Sequence, residues 1–386
     1  MNKTDLPTCN AYRKLLLQQT PMIDVRAPAE FAKGALPSAV NLPFINDEER
    51  HLIGICYKEK GQQAAIDLGN KLVNGDKKIQ RVEAWKQFIE QHPSAVLYCA
   101  RGGLRSQISQ RWLADSGAKC TRIMGGYKSL RTFLLEYLDD SCRTERFTLL
   151  SGMTGTGKTD IIKTLNTSID LEGHANHKGS SFGRPLNEQP SQIDFENNLT
   201  SALLKVRENY PQQSIILEDE SRNIGGRHLP DALNVVMAAS DMVVIELPVE
   251  ERIEKLWQEY VVQRYAETIA YHQKHYQSTG QGDKKEREKA ELREVGEQAF
   301  SDYLIDSLLR LKKRLGSQRT NEIAAMITSA VKRQHTDNFS SHRDWLRAIT
   351  IGYYDPMYLY QLDKRKDRVV FRGDQQSVMQ WLRENT

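Results

Sequence analysis

No apolar run in these 386 residues approaches the ~20 that a membrane span needs. The first residues, MNKTDLPTCNAYRK, hold no apolar signal core, so a cytoplasmic protein without membrane attachment is expected. Cysteine is sparse. The five cysteines, Cys9, Cys56, Cys99, Cys120 and Cys142, are odd in number, widely spaced and without a Cys-x-x-Cys pair. That argues against a disulfide framework or a structural zinc site and leaves reduced thiols. Internal repeats and low-complexity tracts are missing too.

What is present begins with charge. The totals nearly balance, 54 Lys+Arg against 50 Asp+Glu, but the spread is uneven. Residues 1–130 hold 19 basic against 12 acidic side chains, residues 131–300 hold 20 against 28, and residues 301–386 hold 15 against 10. A basic front and tail around an acidic middle suit a polyanion touching both ends, although solvated helix faces give the same tally.

The length exceeds one ordinary core. Three sections are expected: 1–140, 141–300 and 301–386. The first alternates short strands (Met22–Val25, Ala95–Tyr98, TRIMGG) with helical patterns over 47–93 and from about Gln107 to Asp115, the signature of an open parallel sheet. The second repeats that alternation. Its strands are RFTLLSG, SIILEDES (214–221) and DMVVIELP (241–248), and FENNLTSALLKVRENY reads as a helix between strands. The polar stretch 277–298 reads as a mobile or helical excursion. The third section is basic and mainly helical, with Arg310, Lys312, Lys313, Arg314 and Arg319. Its YYDPMYLY reads as a tyrosine-rich edge strand, MYLYQLDKRKDRVVF as a hairpin, and a helix closes the chain.

In AVLYCARGGLRSQ, an apolar strand stops at Cys99 and five residues separate Cys99 from Arg105. A strand-to-helix loop of this size turns its backbone amides inward, helped by Gly102 and Gly103, and ends at a helix N-terminus. With Arg101 and Arg105 alongside, these terms favour thiolate, so Cys99 is expected to be a nucleophile inside an anion loop. Arg105 would grip an oxyanion bidentately. A lone buried cysteine is ordinarily inert core, and the flanking glycines and arginines are what argue otherwise. The other four lack such surroundings and read as structural; of these, Cys56, in GICYKEKGQ, is the one that could face the same cleft.

GMTGTGKT, residues 152–159, matches G-x-x-x-x-G-K-[ST] between a strand and a helix. Gly152, Gly155 and Gly157 would let amides cradle a diphosphate, Lys158 would reach its terminal phosphate, and Thr159 would offer its hydroxyl to Mg²⁺. The acid for that metal is ambiguous, because IILEDES places Glu218, Asp219 and Glu220 in a row. No Asn-Lys-x-Asp follows for guanine, so a diphosphate that is not a nucleotide stays open. Candidate substrate contacts are Lys178, Ser180 and Arg184 in HANHKGSSFGRP, and Arg222 and Arg227 beyond the acidic strand. His174 and His177 lack an evident third metal ligand.

The thiol loop, with DVRAPAEFAKGALPSAVNLP upstream, resembles the rhodanese domain, whose matching cysteine carries sulfur or selenium. The same loop serves related phosphatases, so the motif leaves the reaction open. Joined to the P-loop and to LEGHANHKGSSFG, LEDESRNIGG and YYDPMY, it resembles the tRNA 2-selenouridine synthase family. That resemblance implies exchange of sulfur for selenium in wobble 2-thiouridine of tRNA, with selenophosphate as donor and S-geranyl-2-thiouridine, made from geranyl diphosphate, as intermediate. Cys99 would be the selenium carrier and the P-loop the diphosphate site, with Mg²⁺ as cofactor and the selenophosphate-producing enzyme as a partner. A rhodanese-type sulfurtransferase with a nucleotide-binding regulatory domain is the alternative.

Overall fold

A computed structural model describes residues 6–277 and 287–386. It divides into two compact units, one formed by the chain up to Thr144 with Pro190–Pro211, the other by Glu145–Gln189 with Gln212–Thr386. The expected three-section division differs from this, since residues 301–386 pack with the P-loop section.

In the first unit β1 (Thr8–Cys9), β2 (Met22–Asp24), β3 (Ala39–Asn41), β4 (Val96–Tyr98) and β5 (Thr121–Ile123) form one parallel sheet in the order β1-β5-β4-β2-β3. The helices up to Thr144 that accompany it are α1 (Tyr12–Leu17), α2 (Pro28–Ala32), α3 (Asp47–Leu72), α4 (Gly75–Gln91), α5 (Leu104–Asp115) and α6 (Gly126–Thr144). Successive strand residues point to opposite faces, so Met22, Val96 and Tyr98 enter one core while Ile23 and Leu97 enter another, with Trp85 and Leu113. Both faces are covered, which is why these strands read as unbroken apolar runs.

The second unit opens with β6 (Phe147–Gly152), α7 (Lys158–Thr164), β7 (Ser168–Ile169) and α8 (Leu171–Ala175). The next helix, α9 (Gln192–Asn209), returns to the first unit. This corrects the expectation that it sits between strands of the second sheet. Its attachments explain the exchange: Asp194 Oδ1 accepts from the Ala35 amide at 2.6 Å, and Asn197 donates to the Ala35 carbonyl at 2.6 Å. Arg131 donates to Asn197 at 2.8 Å, and Leu204 completes the core around Met22.

The second sheet adds β8 (Ile215–Glu218), β11 (Asp241–Ile245) and β12 (Val369–Gly373), all parallel, in the order β12-β11-β6-β8-β7; β9 (Asn223–Ile224) and β10 (Arg227–His228) form a separate antiparallel ribbon. The remaining helices are α10 (Asp231–Ala239), α11 (Val249–Trp257), α12 (Arg264–Gln277), α13 (Arg287–Leu309), α14 (Lys312–Leu315), α15 (Ser317–Arg333), α16 (His342–Ile349), α17 (Asp355–Asp363) and α18 (Gln375–Asn385). Residues 278–286 of the polar stretch lie outside the described residues. No described helix is long and apolar enough to cross a membrane.

Two expectations fail at the C-terminal end. YYDPMYLY is no edge strand: Thr350–Tyr354 is π-helical and continues into α17, with Pro356 at the junction where the helical winding changes. Nor is there a hairpin. After a short 3₁₀ turn, β12 runs parallel to β11, and Phe371 packs on the core of Val243 and Ile245. The free edge of β11 recruited this strand, and no local turn signal reports such a partner.

Candidate functional site

Cys99 follows β4 directly and is 3% exposed. Its Sγ lies 3.1 Å from Ser106 Oγ and 3.9 Å from the Gly103 carbonyl, to which Ser106 Oγ donates at 3.0 Å. Gly102 has φ +65° and needs to be glycine; Gly103, the N-cap of α5, has φ −88° and ordinary extended backbone. The loop is clamped from behind by Gly125–Gly126. The amides of Tyr127 and Lys128 donate to the Cys99 and Ala100 carbonyls, each at 2.9 Å, and Arg122 donates to the Gly102 carbonyl at 2.8 Å. A Cβ on Gly126 would stand 2.1 Å from the Cys99 carbonyl oxygen.

Arg101 is exposed. Arg105 does not lie open for an oxyanion: both its terminal nitrogens bind Glu30, at 2.5 and 3.0 Å. The sequence reading missed Glu30, which also accepts from the Ala27 amide at the start of α2 at 3.1 Å; it stands 75 residues from Arg105, and no local pattern pairs them. Burial pushes the thiols of Cys120 and Cys142 up to about 12 and about 11, leaving them protonated at neutral pH. Cys56 is half-buried on α3.

In the second unit, β6 delivers the P-loop. Gly155 and Gly157 have φ +85° and +80°, Gly157 caps α7, and Lys158 Nζ donates to the Gly152 carbonyl at 2.7 Å. Arg252, 3% exposed, donates to the Thr154 carbonyl at 3.3 Å and grips Asp355 at 2.7 and 2.8 Å. Gln375 donates to the Thr156 carbonyl at 2.7 Å. The loop is therefore braced by α11, α17 and α18.

Geometry separates the three adjacent acids. Glu218, fully buried, places Oε1 3.3 Å from Thr159 Oγ1; Glu172, on α8, stands equally close. Asp219 faces elsewhere, bound to Arg365 at 2.7 Å and to Ser151 at 2.5 Å. Burial, then repulsion from Glu172, pushes Glu218 up to about 8, and the same causes raise Glu220; burial, then repulsion from Glu259, raises Glu172. Glu172 went unnoticed in the sequence because it is 46 residues from Glu218.

A cavity of about 520 Å³ adjoins the loop, lined by Lys158, Thr159, Glu172, Lys178, Ser180 and Glu220 among others. Lys178 pairs with Glu259. Arg184 lines a neighbouring cavity instead, Arg222 pairs with exposed Asp231 at 2.9 Å, and Arg227 sits on the β9–β10 ribbon; neither Arg222 nor Arg227 lines either cavity. Among the described residues no group of three or more His, Cys, Asp or Glu is arranged to hold a metal, His174 and His177 included.

Comparison with known proteins decides the family. Residues 145–386 match the tRNA 2-selenouridine synthase AAA domain and residues 10–132 the rhodanese-like domain. This chain belongs to the tRNA 2-selenouridine synthase family of enzymes. Among its relatives, the tRNA 2-selenouridine synthase of Shewanella frigidimarina is 44% identical over 372 residues, 96% of each chain. That of Marinobacter nauticus is 44% identical over 381 residues, 98% of each chain, and that of Shewanella sediminis 45% over 377, covering 97% of this chain and 96% of its own. The family's two halves thus coincide with the thiol loop and the P-loop.

Proposed function

We propose that this enzyme replaces sulfur by selenium in the wobble 2-thiouridine of tRNA, in two steps served by its two motifs. The observation that carries the reading is the pairing, in one chain of this family, of a thiol in a strand-to-helix loop, against Ser106, with a P-loop that faces buried carboxylates.

A thiocarbonyl sulfur leaves poorly from C2. In the first step that sulfur attacks C1 of geranyl diphosphate, the C–O bond breaks, diphosphate departs, and the N3 proton is lost. The P-loop amides and Lys158 bind the diphosphate and stabilise the charge that develops on it. In the second step a selenium nucleophile adds at C2 and geranylthiolate leaves with the C–S bonding electrons. Cys99 attacks phosphorus of the selenophosphate donor, the P–Se bond breaks with its electrons on selenium, and the selenide so released is the nucleophile that adds at C2, while water takes the phosphoryl group from Cys99 as phosphate. Glu30 must yield Arg105 for that arginine to join in.

Magnesium fits the P-loop side. Glu218 and Glu172 crowd Thr159, and among the described residues no cation makes an ion pair with Glu218; hydroxyl and carboxylate are a donor set suited to a hard divalent ion. Thr159 and Glu218 would hold it, and it would supply neutralising charge to the diphosphate.

Nucleoside mass spectrometry of 2-thiouridine tRNA, with geranyl diphosphate, Mg²⁺ and selenophosphate each supplied or withheld, tests both steps. Lys158→Ala should make no geranylated nucleoside; Cys99→Ser should accumulate it without forming selenouridine. Geranylation retained in Lys158→Ala refutes the P-loop role. Thiouridine unchanged by the intact enzyme refutes the reading itself and favours sulfurtransfer, which thiosulfate turnover at Cys99 would then reveal.

A further inference from the structure

Next to the P-loop cavity the second unit has another, of about 570 Å³, sharing Lys178, Glu259 and Tyr260 with it. Its walls include His177 and Arg184 from HANHKGSSFGRP, Arg264 and Lys274 from α12, and Tyr303 from α13. Two of its polar atoms are buried without a hydrogen-bond partner: Nε of Arg264 and Nδ1 of His177. Arg264 is 9% exposed, lies over the Tyr303 ring at 4.2 Å from its centroid, and reaches Glu267 only at 4.0 Å.

The cations outweigh the acids here. Lys178 is balanced by Glu259, and Glu267 is the carboxylate beside Arg264. Arg184 and Lys274 make no ion pair with any described residue. Burial lowers Arg264 from its usual range and Arg184 adds to that; burial lowers His177, and Arg310 and Arg184 add to it. Such a cluster is costly to keep together until an anion neutralises it and satisfies its donors.

We propose that this cavity binds a backbone phosphodiester of the tRNA strand beside the nucleotide being modified, with Arg264 and Arg184 on the phosphate oxygens. The inference rests on the tRNA reading of the neighbouring site. A free diphosphate fits less well, since the cavity has neither a glycine-rich amide collar nor the hydroxyl–carboxylate pair of the P-loop. Cations set among tyrosine faces are how proteins hold a single strand. Arg310 adds its charge at His177 from outside the cavity lining.

The test uses the full chain and a fluorescent single-stranded RNA of anticodon-arm sequence, with affinity read by anisotropy across a salt series. Arg184 is exposed, so Arg184→Gln keeps the fold even if Arg264→Gln does not. Arg184→Gln should weaken RNA binding about tenfold and lower the slope of log affinity against log salt by about 0.7, the loss of one single-strand phosphate contact. Arg184→Lys should restore the slope. Inorganic pyrophosphate with Mg²⁺, measured by calorimetry, should bind Arg184→Gln as it binds the parent. Unchanged RNA affinity and slope in Arg184→Gln overturn the proposal. So does a variant that keeps RNA but loses inorganic phosphate or pyrophosphate, which would make the cavity a free-anion pocket. A parent enzyme that binds RNA yet leaves thiouridine unchanged would refute the proposed reaction without touching this site.

Discussion

Arg105 and Glu30, 75 residues apart, form a two-pronged ion pair at 2.5 and 3.0 Å beside the Cys99 loop. The arginine holds the Glu30 carboxyl below its ordinary value against the opposing effect of burial, while Glu30 spends the charge that an incoming anion would meet. Glu30→Gln should therefore unmask Arg105. We expect alkylation of Cys99 by iodoacetate to rise roughly tenfold, and by neutral iodoacetamide far less, because steering acts only on the anion. Mass spectrometry of the Cys99 peptide checks this, and equal acceleration of both reagents would refute it. Loss of the half-buried pair should cost about 1 kcal/mol of stability.

Gly126 is the second support of the thiol loop. Its φ is +60°, and a Cβ there would stand 2.1 Å from the Cys99 carbonyl and 2.6 Å from the Gly102 amide. Both atoms are backbone, so neither can swing aside. Gly126→Ala should destabilise the chain by roughly 1–3 kcal/mol and abolish selenation while leaving geranylation of the tRNA intact. Urea denaturation and nucleoside analysis read the two effects separately.

Asp355 neutralises Arg252, whose guanidinium also supports the Thr154 carbonyl of the P-loop. Removing one partner of a buried pair leaves an uncompensated charge. Asp355→Asn should cost about 3 kcal/mol and weaken pyrophosphate binding as well. Asp355→Glu should recover more stability than binding, because its longer arm can pair with Arg252 only by moving it. Calorimetric titration with pyrophosphate gives the second quantity.

Glu218 implies a pH dependence of definite sign. Its folded value, about 8, lies above the ordinary 4.5, so between those values the folded chain keeps a proton that the unfolded chain has released. Stability should fall as pH rises through that window. Without divalent cation, the melting temperature should drop between pH 5.5 and 8, and Mg²⁺ with pyrophosphate should stabilise most at the alkaline end. Glu218→Gln should flatten the slope. An unchanged slope in that variant would remove Glu218 from the account.

Much of this was legible in local pattern. Strand–loop–helix spacing marked Cys99 and GMTGTGKT as ligand loops, and apolar runs between helical stretches announced two parallel sheets, because buried strands and phosphate loops depend on residues near each other in the chain. The C-terminal strand was misread for the opposite reason: β12 exists only because β11 had a free edge to pair with. α9 likewise reads as a helix from its period, but its home in the first unit is set by Ala35 and the core around Met22.

The sequence by itself determined which groups this protein has: a thiol among glycines, a phosphate loop, and three acids in a row. Only the tertiary structure decided which way they face. Arg365 and Ser151 claim Asp219, leaving Glu218 for Thr159, and Glu30 claims Arg105. Such pairings join residues far apart in the chain, and their geometry is fixed by how whole sheets and helices pack, which no short stretch of sequence encodes.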